Sequence, residues 1–417
     1  MSIELTRRGI LDESEAVLDE KVLDLSGESA DDTELDSSSP FFVSKKAAAV
    51  LKHAILDQYV VPFASKVGRY APDGRVVYLD SYAGPGRYED GTPGSPALIL
   101  ESAARIAGFR QLDCYFVERG RKSYRSLAAL AEEASGSGLT AHALQGRAEK
   151  HLDHVLQRAA GQPLFAFLDP FGLGLSFQAL TQQIFGSRST HGTTGRYATE
   201  VLLNFNANAV RRIGGLLTSP KDTPGKPATL RAMDAACGGP WWRDEFHDSK
   251  DNAEAVQRIT AGFARRVART VRAGYWTIEV RNRAHHQVAY HLVHFSRHKD
   301  GLWLFGEAAS RAQIEWRRAC LPPPDEGALF GAADTFDDEE ERRAQAWVKQ
   351  IRRNIEGLQQ RVGPFRIGDH QAEVLAGVLG QAWSKHIRAA VKQLYKDGMT
   401  NCTGVGDVRE LRITPPR

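Results

Sequence analysis

The chain has 417 residues, of which 42% are apolar and 25% charged, enough for two or three domains around a large core. No apolar run is long enough to cross a bilayer, and no basic stretch followed by an apolar one opens the chain. The four cysteines (Cys114, Cys237, Cys320 and Cys402) are scattered without a CxxC, which argues against a zinc knuckle or a disulfide framework and for a cytoplasmic protein.

The net charge of +3 is unevenly distributed. Residues 1–40 hold twelve Asp/Glu against three Lys/Arg, a balance of −9. This head ends in DDTELDSSSP, lacks aromatics, and is expected to be disordered apart from a short helix near residues 10–23. Order is expected from Phe41, with Ser44 capping a helix through KKAAAVLKHAILDQYVVPFASKV that Pro62 kinks or ends. Lys45 and Lys46 read as a solvated face.

The chain then alternates. VVYLD reads as a strand, and SPALILESAARIAG as a helix with Ser95 as its N-cap and Pro96 in first position. CYFVE, LTAHALQG, LFAFLD and EVLLNF follow as strands. KSYRSLAALAEEAS, AEKHLDHVLQRAA and SFQALTQQIFG are the helices between them. Five strands separated by four helices imply a parallel sheet with right-handed crossovers. Residues 207–275 read as a helical insertion. YWTIEVRN and VAYHLVHFSRH then read as two late antiparallel strands, because only a few residues join them. Residues 41–320 therefore form an α/β domain.

LPPPDEGALFGAADTFDDEEE, residues 321–341, reads as a linker. Residues 342–417 form a small basic unit. Its stretch 342–399 holds eleven Lys/Arg against four Asp/Glu, a balance of +7. Helices followed by a short hairpin in NCTGVGDVRELRIT is the pattern of a winged helix. Lys385, Arg388 and Lys392 lie on the helix that would enter a nucleic-acid groove; the alternative is a protein-docking domain.

Chemistry concentrates at three strand ends. In YLDSYAGPGRYEDGTPGSP, Asp80 ends the first strand, and Gly84 and Gly86 permit a tight turn where backbone can approach a ligand. No GK[ST] follows, so this is not a P-loop. Glu118 ends the second strand, where a carboxylate can accept two ribose hydroxyls. In FLDPFG, Asp169 ends the fourth strand; its carboxylate and the Pro170 carbonyl can accept the hydrogens of an amine while Phe171 stacks on a ring. His285, His286, His291, His294 and His298 cluster in sequence, but alternation sets His291 and His294 on opposite faces, so no metal is expected. Arg211 and Arg212 follow the fifth strand, where phosphate contact and a solvated helix start are both open. Trp241 and Trp242 are expected to pack a helical cap.

YLDSYAGPGRYEDGTPGSPALIL, YFVERG, FAFLDPFGLGL, EVLLNFNANAVRR and AYHLVHFSRHKDGLWLF together resemble the three-Cys-motif partner protein family, over roughly residues 41–410. Their fold resembles that of class I S-adenosylmethionine-dependent methyltransferases, with a Rossmann-like seven-stranded sheet. The glycine loop is also similar to that of ribosomal-RNA adenine-N6 methyltransferases. The resemblance implies S-adenosyl-L-methionine as cofactor, held by Asp80, Tyr82, Gly84, Gly86 and Glu118. It implies a target pocket of Asp169, Pro170 and Phe171, a nucleic-acid substrate, and a three-Cys-motif protein as partner. Where amino-methyltransferases carry [DN]PP[YFW], this chain has Phe171 and Gly172 in place of the second proline and the aromatic. The alternative expectation is therefore an inactive, nucleic-acid-binding or regulatory subunit, for example in phage defence.

Overall fold

A computed structural model describes residues 47–188, 198–220, 224–321 and 335–416. The acidic head, Ser44, Lys45, Lys46 and most of the expected linker lie outside these residues. The chain divides into two compact units. Among the described residues, one lies within 60–302 and the other comprises 47–59, 303–321 and 335–416.

The first unit is α/β. Its parallel strands are β1 (Arg75–Asp80), β2 (Gln111–Glu118), β3 (Thr140–Gln145), β4 (Leu164–Leu168) and β5 (Thr199–Asn206). Two late strands, β6 (Gly274–Arg281) and β7 (Val288–Ser296), are antiparallel. The sheet runs β3-β2-β1-β4-β5-β7-β6, so the last strand inserts beside β5. This mostly parallel seven-stranded sheet is Rossmann-like. The chain builds outward from β1 to β3, then returns to lay β4 on the other side of β1. The crevice of such a sheet lies at that reversal, beyond the carboxyl ends of β1 and β4.

Helix α1 (Ala47–Gly68) runs through Pro62 without ending there. Helices α2 (Ser95–Ile106), α3 (Arg121–Gly136) and α4 (Ala148–Arg158) fill the first three crossovers. The expected fourth helix is instead a π-helical segment, Ala179–Gly186, closed by Ser187 N–H on the Gln182 carbonyl at 3.0 Å. The insertion holds α5 (Ala207–Thr218), α6 (Lys226–Cys237), α7 (Trp241–His247) and α8 (Asn252–Val271). Burial explains why these strands read as apolar runs. β4 is buried on both faces, with Leu164, Ala166 and Leu168 packing one side and Phe165 stacking on Tyr78 at 5.9 Å on the other. Trp241 and Trp242 pack the helical cap as expected. Trp242 is fully buried and donates to Asp234 at 2.8 Å, and Trp241 donates to the Cys237 carbonyl at 2.9 Å.

The second unit contains α9 (Lys299–Ala319, from Trp303 on), α10 (Phe336–Val362), α11 (Gln371–Val374) and α12 (Ser384–Lys396). Helix α10 begins inside the expected linker. Ile387, Val391 and Leu394 of α12 pack against Ile351, Ile355 and Leu358 of α10. The short hairpin expected within residues 401–414 does not form. Gly404 and Gly406 both have positive φ, and the Arg388 guanidinium holds their carbonyls at 2.6 and 2.8 Å, so this stretch turns rather than extends. Only β9 (Arg412–Ile413) extends, and it pairs with the distant β8 (Phe365–Arg366).

Candidate ligand site at the carboxyl edge of the sheet

Strand register gathers the sequence-predicted acids. Asp80 pairs with Phe116 of β2 and Phe167 of β4, while Phe167 pairs with Leu202 of β5. Two residues beyond those partners stand Glu118, Asp169 and Asn204. Since side chains alternate, all of them share the face of Asp80 at the carboxyl edge. Glu118 and Asp169 stand two strand spacings apart, roughly 10 Å.

Asp80 is fully buried. One of its oxygens accepts the Tyr82 N–H at 3.1 Å, and the other accepts the Ser95 hydroxyl at 2.7 Å. The carboxylate thus fixes both ends of the loop between β1 and α2. Ser95 is not the N-cap of α2, as the sequence suggested. Gly94 caps it, and the Ser95 hydroxyl turns inward to Asp80. Tyr82 packs its ring on the core, and burial raises its phenol above the ordinary value.

The glycine loop is ordered by its own backbone. Gly94 N–H donates to the Gly86 carbonyl at 2.9 Å, Tyr88 to Thr92 at 2.9 Å, and Ala83 to Val117 at 2.9 Å. Gly86 sits at φ 88°, and a Cβ there would come within 2.5 Å of Leu130 Cδ2. Gly84, at φ 67°, turns its N–H to Glu118 Oε2 at 2.9 Å. Glu118 Oε1 accepts the Gly120 N–H at 2.6 Å. Burial pushes the Glu118 carboxyl above the usual range, against the two N–H donors that favour its charged form.

Asp169 is held from the next strand. Asn204 Nδ2 donates to Asp169 Oδ1 at 2.7 Å, and Asn206 Nδ2 donates to the Phe171 carbonyl at 2.6 Å. Asn206 also N-caps α5 through Ala209 N–H at 3.0 Å. Gly174, at φ 74°, would place a Cβ 2.5 Å from Pro170 Cγ, so the DPFG turn is closely packed. The Phe171 ring is half exposed, at 50%.

Three polar atoms near this edge are buried without a hydrogen-bond partner: Tyr78 Oη, Ser81 Oγ and Asn204 Oδ1. Burial pushes the Tyr78 phenol well above its ordinary value, and the charges of Asp80 and Asp169 add to that.

Sequence reasoning missed Ser95, Asn204 and Asn206. The available signal was an Asn-x-Asn directly after the apolar run Val201–Leu203, because a buried amide must have a partner.

Other expected residues are placed elsewhere. Arg211 is tied to the Val288 carbonyl at 2.5 Å and to Asn208 Oδ1 at 2.6 Å, while Arg212 is exposed. His291 is buried against Thr260 at 3.3 Å, and His294 against Glu200 at 3.1 Å. Among the described residues no group of three or more His, Cys, Asp or Glu could hold a metal ion, and no helix is long and apolar enough to cross a membrane. In the second unit Lys385 and Lys392 are exposed, whereas Arg388 is the residue that holds the Gly404–Gly406 turn.

No protein-family model matches this chain, and no curated protein matches it significantly.

Proposed function

We propose that the carboxyl edge of this sheet binds S-adenosyl-L-methionine and that the protein transfers a methyl group to nucleic acid. Membership of the three-Cys-motif partner family, a protein partner of that kind, and a winged-helix-like role for the second unit belong to the same proposal. The observation that carries the reading is the convergence of Asp80, Glu118 and Asp169 on one face, beside a glycine loop held at positive φ.

The residues fit the cofactor. Glu118 keeps one lone pair on each oxygen beyond its backbone N–H bonds, enough for two ribose hydroxyls. Gly84 and Gly86, both at positive φ, hold the loop in its tight turn beside Glu118. The orphaned Tyr78, Ser81 and Asn204 atoms supply polar groups that a ligand's polar atoms or water would satisfy. Bound there, the cofactor supplies an electrophilic methyl group on a sulfonium.

The chain's own work is then positioning. Asn204 fixes one oxygen of Asp169, and the carboxylate so held would orient an acceptor amine. Asn206 fixes the Phe171 carbonyl, which sets the exposed ring at the mouth of the turn. No base is needed before attack, because the amine sheds its proton afterward; holding donor and acceptor in line is the main contribution.

The second reading, an inactive nucleic-acid-binding or regulatory subunit, is favoured by the DPFG sequence itself. There Phe171 and Gly172 stand where amino-methyltransferases carry the second proline and the aromatic.

Calorimetric titration with S-adenosylmethionine and its demethylated product separates the two. Binding is expected, and Glu118→Ala should weaken it by about 1.5–3 kcal/mol, the range for hydrogen bonds to a charged group. No binding of either compound by the folded wild type would end the methyl-transfer reading.

A further inference from the structure

Helix α8 carries Arg258, Arg265, Arg266 and Arg269, Arg272 follows it, and no Asp or Glu occurs from Ala255 to Ile278. Arg258 is engaged by Glu245 at 2.6 Å. The other four are exposed. Arg265, Arg269 and Arg272 stand at i, i+4 and i+7, one face of the helix. The opposite face sends Ile259, Phe263, Val267 and Val271 into the core. Among the described residues, Arg265 and Arg272 meet no carboxylate.

Two further observations lift this stripe above an ordinary solvated face. Arg272 closes the helix in the left-handed region, at φ 53° and ψ 48°. Glycine takes that position without steric cost, and an arginine there is strained. Strain kept at one position points to use of the side chain it carries. Arg266 lies 4.4 Å above the Trp241 ring, and Gly262 lets that ring seat on the helix, since a Cβ at 262 would come 2.5 Å from it. The guanidinium is therefore held on a platform.

We propose that this arginine face of α8 binds the phosphate backbone of a nucleic acid. The inference rests on the reading of the acceptor as nucleic acid and places the contact in the first unit. Planar guanidinium forks match phosphate oxygens, and backbone contacts of this kind carry no base information, so binding is sequence-independent. A bilayer is the poorer occupant. A membrane-surface helix inserts its apolar side, and that of α8 is already in the core.

The test is fluorescence anisotropy of the full chain with a labelled DNA duplex and a labelled RNA strand. The variants are Arg272→Gly, the combination Arg265→Ala, Arg269→Ala and Arg272→Gly, and Lys385→Ala with Lys392→Ala. With four phosphates engaged, the logarithm of the duplex affinity should fall with the logarithm of salt at a slope of about −3.6, and the triple variant should retain about −0.9. At the lowest salt the triple variant should bind at least about tenfold more weakly. Arg272→Gly should weaken binding while the melting temperature holds or rises, an outcome that a purely structural arginine would not give. The lysine pair should change little. Equal affinity and slope in wild type and triple variant overturn the proposal, as does a loss confined to the lysine pair. Binding of phosphatidylserine vesicles but of neither nucleic acid also overturns it. Arginine-dependent binding by a chain that takes up no S-adenosylmethionine leaves this inference standing and removes methyl transfer; cofactor uptake without nucleic-acid binding removes this inference and the nucleic-acid acceptor and leaves cofactor binding standing.

Discussion

Arg265 and Arg272, at the end of α8, and the arginines that α10 pairs with acids have opposite surroundings. In α10, Arg343 reaches Glu339 at 3.0 Å and Glu340 at 2.7 Å, and Arg352 reaches Glu356 at 2.9 Å and also Asp397. Beyond the helix, Arg366 meets Asp369 at 2.5 Å and Glu410 at 3.0 Å. The acids of FDDEEE form the first turns of the same helix. Over the described residues 336–416 the chain holds thirteen Lys/Arg against eleven Asp/Glu, a balance of +2. The +7 of residues 342–399 came from a boundary that cut arginines off from their partners. In α8, Arg258 pairs with Glu245, but no Asp or Glu occurs from Ala255 to Ile278, and among the described residues Arg265 and Arg272 meet no carboxylate. What a cationic run can bind depends on what its charges already touch, and a windowed net charge does not report that.

Acid should affect both units alike, and this sets the background for the comparison. Burial lowers His291 to about 4, and burial together with Lys385 lowers His386 to about 4. The unfolded chain takes up these protons near the ordinary histidine value, and the folded chain only near pH 4. The stability each contributes is therefore present above about pH 6.5 and lost as pH falls toward 4. For His291 the expected loss is about 3 kcal/mol, at 1.36 kcal/mol per unit. Urea melts at pH 7.5 and pH 4.5 read the total, and His291→Gln should flatten the change. A pH-independent midpoint would show that neither histidine is held neutral.

Breaking a pair should separate the regions. Glu340 accepts Arg317 Nε and Nη2, both at 2.6 Å, and Arg343 at 2.7 Å, with only 14% of its side chain exposed. Burial raises its carboxyl, but the two guanidinium groups outweigh that, and the net shift is downward. Glu340→Gln keeps the shape and removes the charge. It should cost about 2 kcal/mol, the scale of charge-assisted hydrogen bonds, and leave nucleic-acid affinity unchanged. Thermal melts and anisotropy on the same variant check both halves. A large gain in affinity would mean that the paired arginines compete for the same ligand.

Much of the fold was legible in the sequence, and for a physical reason. Strands buried on both faces read as unbroken apolar runs, so VVYLD, CYFVE and LFAFLD were visible, as were the acids that end them. The strand ends followed once the alternation implied a parallel sheet. The partners of those acids were not legible. Ser95 looked like a helix cap because serine commonly is one, and only the three-dimensional closeness of Asp80 turns it inward. Asn204 finds Asp169 across 35 residues of chain, a contact set by strand order and not by local spacing. The hairpin expected within residues 401–414 does not form for a similar reason. The Gly404–Gly406 turn is held by Arg388, sixteen and eighteen residues away, and a hairpin reading of the local sequence cannot see that hold.

The smallest expected effect is the most discriminating. Arg265 is exposed, makes no contact with a carboxylate among the described residues, and lies two turns before the strained Arg272. Arg265→Ala removes no packing and no ion pair, and alanine is the better helix former. Stability should therefore change by no more than about 0.5 kcal/mol in either direction. Its effect on duplex binding should be a loss of about one unit of salt slope, the share of one phosphate. An arginine of α10 treated the same way should give the reverse. Arg352→Ala removes the contacts to Glu356 and Asp397 and should lower the melting temperature without moving the salt slope. Measured side by side, the two substitutions decide whether exposure without a partner, and not charge alone, marks the binding face. If Arg265→Ala leaves the slope intact while Arg352→Ala reduces it, the assignment of the two helices is inverted.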